Sequence, residues 1–198
     1  MSTVSTEPMD VRAIADVETM RALADPTRVA IVRLLMSGDR ADPPVMSAKE
    51  IAAALQEPQI KLYRHLKHLA SVGLIHVAET RLVSGIQEQR YRTGQLHLTI
   101  GGDLLADTPA LTGALIALLD DFRMSMSRDL AQGRVVLGPD EPLGMMLLGG
   151  TAVRVSPGRA AEFRRRLREL RAEFDELDGN DPAGVTAHLL LGWYTVQP

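Results

Sequence analysis

The stretch that most constrains this chain is SAKEIAAALQEPQIKLYRHLKHLASVG, residues 47–73. Ser47 with Glu50 three residues later is a capping box, in which each residue satisfies a free amide of the other's turn. It predicts a helix over 47–56, a turn at QEP (56–58) and a second helix over 59–72. Gly73 is placed to cap the second helix. At 100° per residue, Leu62, Leu66 and Leu69 fall on one face of that helix. Ile60, Tyr63, Arg64 and Lys67 fall on the opposite face, with Lys61, His65 and His68 on a flank. A short helix and a tight turn thus hold out a second helix, one face buried and the other cationic.

The chain continues with two predicted strands, 74–80 and 88–93, joined by a polar loop into a hairpin that carries Arg81, Arg90 and Arg92. Formal charge is −3 over 198 residues, so any affinity for polyanions has to be local. From Pro58 to Leu98 six Lys/Arg face Glu79 and Glu88, which is +4 and leaves −7 for the remainder. A basic patch on an acidic protein is the electrostatic footprint of a nucleic-acid surface. The major groove of DNA admits an α-helix. Arg64 suits a guanine edge, Gln59 an adenine, and Ile60 a thymine methyl. Tyr63, Lys67 and Ser71 suit phosphate, which positions without specifying, Lys61 belongs to the same DNA-binding set, and His68 suits phosphate contact or local packing. The hairpin would set Arg81, Arg90 and Arg92 against the backbone or the minor groove. An ordinary solvated helix face is the competing reading of these charges, and the order helix, turn, helix, hairpin weighs against it.

Upstream, residues 11–24 carry Val11, Ile14, Val17 and Leu23 at helical spacing, and Pro26 after Asp25 opens a second helix over 26–37. Residues 1–10 are expected to be a disordered tail with no signal peptide. Downstream, 109–131 reads as an apolar helix with a stripe of Leu111, Leu115, Leu118, Phe122 and Met126. GRVVLGPDEPLG (133–144) reads as the domain boundary, and 145–198 as strand, helix (159–177) and strand. The expected fold class is mainly α with a β wing, an α+β winged helix-turn-helix over 11–98 plus a small C-terminal strand-helix-strand region.

The stretches LADPTRVAIVRLL (23–35), SAKEIAAAL (47–55), LYRHLKHLASVGLI (62–75) and RYRT (90–93) together resemble the winged helix-turn-helix domain of ArsR-type transcriptional regulators. The family's helix runs Ser-x-x-x-Ser-Arg-His-Leu. Here Pro58 and Tyr63 stand in for the serines, as in a subset with Leu-Tyr-x-His-Leu. By position Gln59, Ile60, Tyr63 and Arg64 would face DNA. The resemblance implies a homodimer on double-stranded operator DNA, usually a repressor, released by a signal. The seam would come from the N-terminal helix and the 109–131 helix.

The family's thiolate metal sites have no counterpart, because the chain has no cysteine. His65 and His68 stand three apart, a spacing open to a metal, but lack an evident third ligand. His76, His97 and His188 are scattered, and Asp120-Asp121 reads as a solvated helix face. No metal or cofactor is expected. In the C-terminal region Met145, Met146, Phe163, Trp193 and Tyr194 could line a pocket for a small apolar ligand, against simple core packing. No segment has the roughly 18 uninterrupted apolar residues of a membrane span. No nucleophile elbow or phosphate loop appears, so neither an enzyme nor a membrane protein is expected. The expected setting is the cytoplasm. The rival function is a dimeric protein-interaction module that uses the winged fold without specific DNA binding.

Overall fold

The computed structural model describes residues 9–37, 42–83, 85–100, 107–135, 152–177 and 184–195. The chain divides into two units, residues 1–124 and 125–198.

In the first unit, β1 (Met9–Ile14) precedes α1 (Val17–Ala22) and α2 (Pro26–Leu35). β2 (Met46–Ser47), α3 (Ala48–Leu55) and α4 (Gln59–Ser71) follow, then β3 (Ile75–Val83), β4 (Ile86–Thr93) and β5 (Gln95–Ile100). The helix α5 (Thr108–Ala131) begins in this unit. Antiparallel β2, β4 and β3 form the wing sheet, and β1 pairs in parallel with β5.

The caps explain the helix limits. Asp16 accepts from the Thr19 amide at 2.6 Å to start α1, and Asp25 accepts from the Arg28 amide at 3.0 Å to start α2, with Pro26 in its first turn. The Ser47–Glu50 box opens α3: Ser47 N–H donates to Glu50 at 2.7 Å, and Glu50 N–H to Ser47 Oγ at 3.3 Å. Met20, Ile31, Leu35, Ile51, Leu62, Leu66, Leu69 and Leu74 are fully buried and form the core among α1–α4. This is an α+β winged helix-turn-helix, as the fold class expected.

Three parts of the chain depart from the sequence reading. The helix expected over 11–24 is a strand followed by a short helix, because β5 supplies a partner for 9–14 that the local pattern does not reveal. The start of β1 also places backbone structure inside the expected tail. Asp121 is no solvated residue: it is buried and accepts from Arg33 at 2.7 and 3.1 Å, which pins α5 to α2.

The face that α5 turns to its own unit is built on Ala110, Gly113, Ala117 and Asp121, with Leu111 and Ala114 packed beside them. A Cβ on Gly113 would stand 3.0 Å from the Ala24 Cβ, so the close approach needs glycine there. Leu115, Ile116, Leu118 and Leu119 are exposed. The apolar residues of α1, by contrast, turn into its own core.

In the second unit α6 (Pro157–Asp175) starts at the Ser156 cap, whose Oγ accepts from the Arg159 amide at 3.3 Å. It buries no residue. Residues 152–155 and 184–195 have no regular secondary structure, so the flanking strands expected there do not form; the remainder of the first expected strand, including Met145 and Met146, lies outside the described residues. A strand needs a neighbour to accept its backbone, and none is present among the described residues of this unit.

Candidate nucleic-acid interface

The turn between α3 and α4 sets the angle of the second helix. Gln56 closes α3 in the left-handed region, φ +56°, and its amide and that of Glu57 bond back to Ala53 and Ala52. Pro58 then restarts the chain as the N-cap of α4. Leu62, Leu66 and Leu69 bury one face against α2 and α3, and Gly73 leaves the helix at φ +69°, a backbone that favours glycine.

The other face of α4 is open. Ile60 is 79% exposed and Tyr63 50%, and Gln59, Lys61, Arg64 and Lys67 are exposed beside them. Gln59 Nε2 donates to the Tyr63 hydroxyl at 2.7 Å, which orders that pair one turn apart. Lys61 stands 3.9 Å from Glu57. Arg64 and Lys67 have no carboxylate within ion-pair distance among the described residues. His68 is half-buried on the flank.

His65 turns inward. It is 7% exposed, with Nδ1 at 3.7 Å from the Asp25 carboxylate. Burial lowers its pKa against the opposing pull of Asp25, and Arg28 and Arg64 lower it further. It joins α4 to the start of α2, and so is a packing residue and not one of a histidine pair facing out.

The wing holds its arginines differently from the surface expected of them. Arg90 Nη1 is 2.8 Å from Glu50 and Nε 3.0 Å from Glu79, and the same guanidinium donates to the Val45 carbonyl. Glu50 therefore serves the α3 cap and the wing together; its pKa is lowered first by the Ser47 amide and further by Arg90. Arg92 pairs with Asp42 at 2.8 Å, and Arg81 with Glu79 at 2.8 Å. Arg90 and Arg92 are mostly covered and fix the wing to the loop before α3, while Arg81 stays largely exposed. Leu82, Val83 and Ile86 leave an apolar tip.

Of the ligand candidates, Phe163 and Trp193 come together, stacked with centroids 6.3 Å apart. Arg159 and Arg166 lie over the Phe163 ring at 5.1 and 5.8 Å. Tyr194 is 87% exposed and takes no part in that cluster.

The comparisons with known proteins agree with this geometry. Residues 23–78 match the family model of a helix-turn-helix domain. This segment is similar to a helix-turn-helix domain. The match covers α2, α3, α4 and the start of β3, and it leaves β1, most of the wing, α5 and the second unit unassigned. No curated protein matches the chain. No helix among the described residues is long and apolar enough to cross a membrane.

Proposed function

We propose that the protein is a sequence-specific transcriptional regulator of the ArsR type, a cytoplasmic homodimeric repressor that binds an inverted repeat in double-stranded DNA. One observation carries the reading: α4 buries three leucines and offers Ile60, Tyr63, Arg64 and Lys67 as a single outward face. Arg64 reads a base edge, Gln59 and Tyr63 act as a hydrogen-bonded unit beside it, and Lys61 and Lys67 hold phosphate. Arg81, paired with Glu79 but largely exposed, is the wing cation placed to reach the backbone, since Arg90 and Arg92 are mostly covered.

The exposed Leu115, Ile116, Leu118 and Leu119 of α5 support a dimer seam, because four large apolar residues in neighbouring turns are seldom left in water. Two copies of α4 would then meet two half-sites. A small apolar ligand against Phe163 and Trp193 is the candidate release signal, and no catalytic step is part of the proposal. The test is a salt titration of duplex binding. Each phosphate contact contributes a slope of about −0.9 in log affinity against log salt, so Lys67→Ala is expected to flatten it by about one. Binding that ignores both salt and Lys67 would favour a protein-interaction role for the same fold.

A further inference from the structure

The C-terminal end of α4 is gripped from outside the helix-turn-helix. Three successive carbonyls, those of Val72, Gly73 and Leu74, accept hydrogen bonds from β1 and from the entry to β5. Arg12 on β1 donates from Nη2 to the Val72 carbonyl at 2.9 Å and from Nη1 to the Gly73 carbonyl. The Gly94 amide and Gln95 Nε2 donate to the Leu74 carbonyl at 3.2 and 3.0 Å. A Cβ on Gly94 would lie 3.2 Å from the Gly73 oxygen, so the approach is close. Arg12 and the β5 residues share one ribbon, with Met9 opposite Gln95 and Arg12 opposite Leu98.

The chemistry of this grip is directional. The carbonyls of Val72, the C-cap, and Gly73, just past it, lie at the exit of α4, beside the negative end of the helix dipole. A guanidinium satisfies two of them at once with a planar fork, which an ammonium cannot do. The opposite end of α4 has no equivalent, since Pro58 makes no side-chain cap hydrogen bond. Arg12 lies at the far end of α4 from Ile60, so it can set the helix's attitude without occupying the face that meets DNA.

We propose that Arg12 is a positioning residue for DNA binding: through the β1–β5 ribbon it fixes the pose of α4, so affinity depends on the first strand staying docked. This rests on the DNA-binding reading of α4. The ribbon is also the segment from which the chain runs on to α5, since β5 ends at Ile100 and α5 begins at Thr108.

The experiment uses the full chain and a duplex that the wild-type protein recovers from a random-sequence pool. Affinities of wild type, Arg12→Gln, Arg12→Lys and Arg64→Ala are measured across a salt series, below the unfolding temperature of each. Arg12→Gln is expected to weaken binding about tenfold, the scale of a lost charge-assisted hydrogen bond, with the salt slope unchanged. Arg12→Lys is expected to recover part of the loss, because it restores the charge and one donor; it also decides the matter should Arg12→Gln fail to fold. Wild-type affinity in either variant overturns the inference, and so does a loss accompanied by a slope flatter by about one, which would make Arg12 a phosphate contact. If Arg64→Ala loses binding while the Arg12 variants keep it, the inference falls and the DNA-binding reading stands. If no duplex is recovered, both fall.

Discussion

At the residue scale, two histidines give the protein a defined response to acid. Burial lowers the pKa of both His65 and His76 below the ordinary 6.5, with Arg92 acting in the same direction on His76. The unfolded chain then binds protons that the folded chain refuses, so stability falls as pH drops below 6.5 and levels off below the folded values. Chemical denaturation from pH 8 down to pH 5 should show that fall, and His65→Gln should reduce it. A profile identical to that of wild type would mean that His65 charges freely in the fold. Gln56 offers a second check. It occupies a left-handed conformation at φ +56°, which glycine adopts without a Cβ penalty, so Gln56→Gly should stabilise by about 0.5–1 kcal/mol, read from the denaturant midpoint. The split of α4 into a buried leucine face and an exposed Ile60, Tyr63, Arg64 and Lys67 face was legible because it follows from helical spacing alone. The inward turn of His65 was not, since Asp25 lies forty residues away in sequence and no local pattern announces the pair.

At the scale of elements, the capping box, the turn and the buried leucine face were all readable, since each is a relation within a few residues. Leu66→Ala removes a fully buried side chain from the contact of α4 with the core, and should cost about 2–5 kcal/mol, enough to unfold much of a marginal domain. The wing shows where such reading stops. Arg90 and Arg92 looked like surface cations, and Glu50 like a cap alone, until the sheet brought them together across forty residues. Glu50→Gln should therefore loosen two things at once. Faster amide exchange is expected in β4 as well as in the first turn of α3, and exchange altered only in α3 would argue against the joint role. The strand β1 escaped detection for the same reason. Val11 and Ile14 fit a helix as well as a strand, and only the distant β5 decides between them.

For the whole molecule, the two units differ in how far they account for their own apolar surface. The first has a closed core and, among the described residues, exposes Leu115, Ile116, Leu118 and Leu119 on α5 besides the apolar wing tip. Leu118→Glu with Leu119→Glu should convert a dimer to a monomer in sedimentation, with the helix content kept; an unchanged mass would remove α5 from the seam. The second unit buries no residue of α6, and its Phe163–Trp193 stack is flanked by arginines. Its expected strands rested on apolar runs at 145–155 and 186–198; over the described 152–155 and 186–195, apolar content without a pairing partner does not make a strand. The helix-turn-helix was legible because it is local; the association of copies is a property of surfaces that no single stretch encodes.

The proposed function stands on the outward face of α4 reading duplex DNA. Its most direct test is selection from a random-sequence duplex pool by the wild-type protein and by Arg64→Ala, each at a low and a moderate salt concentration. A short inverted repeat is expected to be enriched by wild type and lost, or relaxed at one position, in the variant, a penalty of about 1–3 kcal/mol for one base contact. Equal enrichment by both proteins, or none by wild type at either salt, would contradict it.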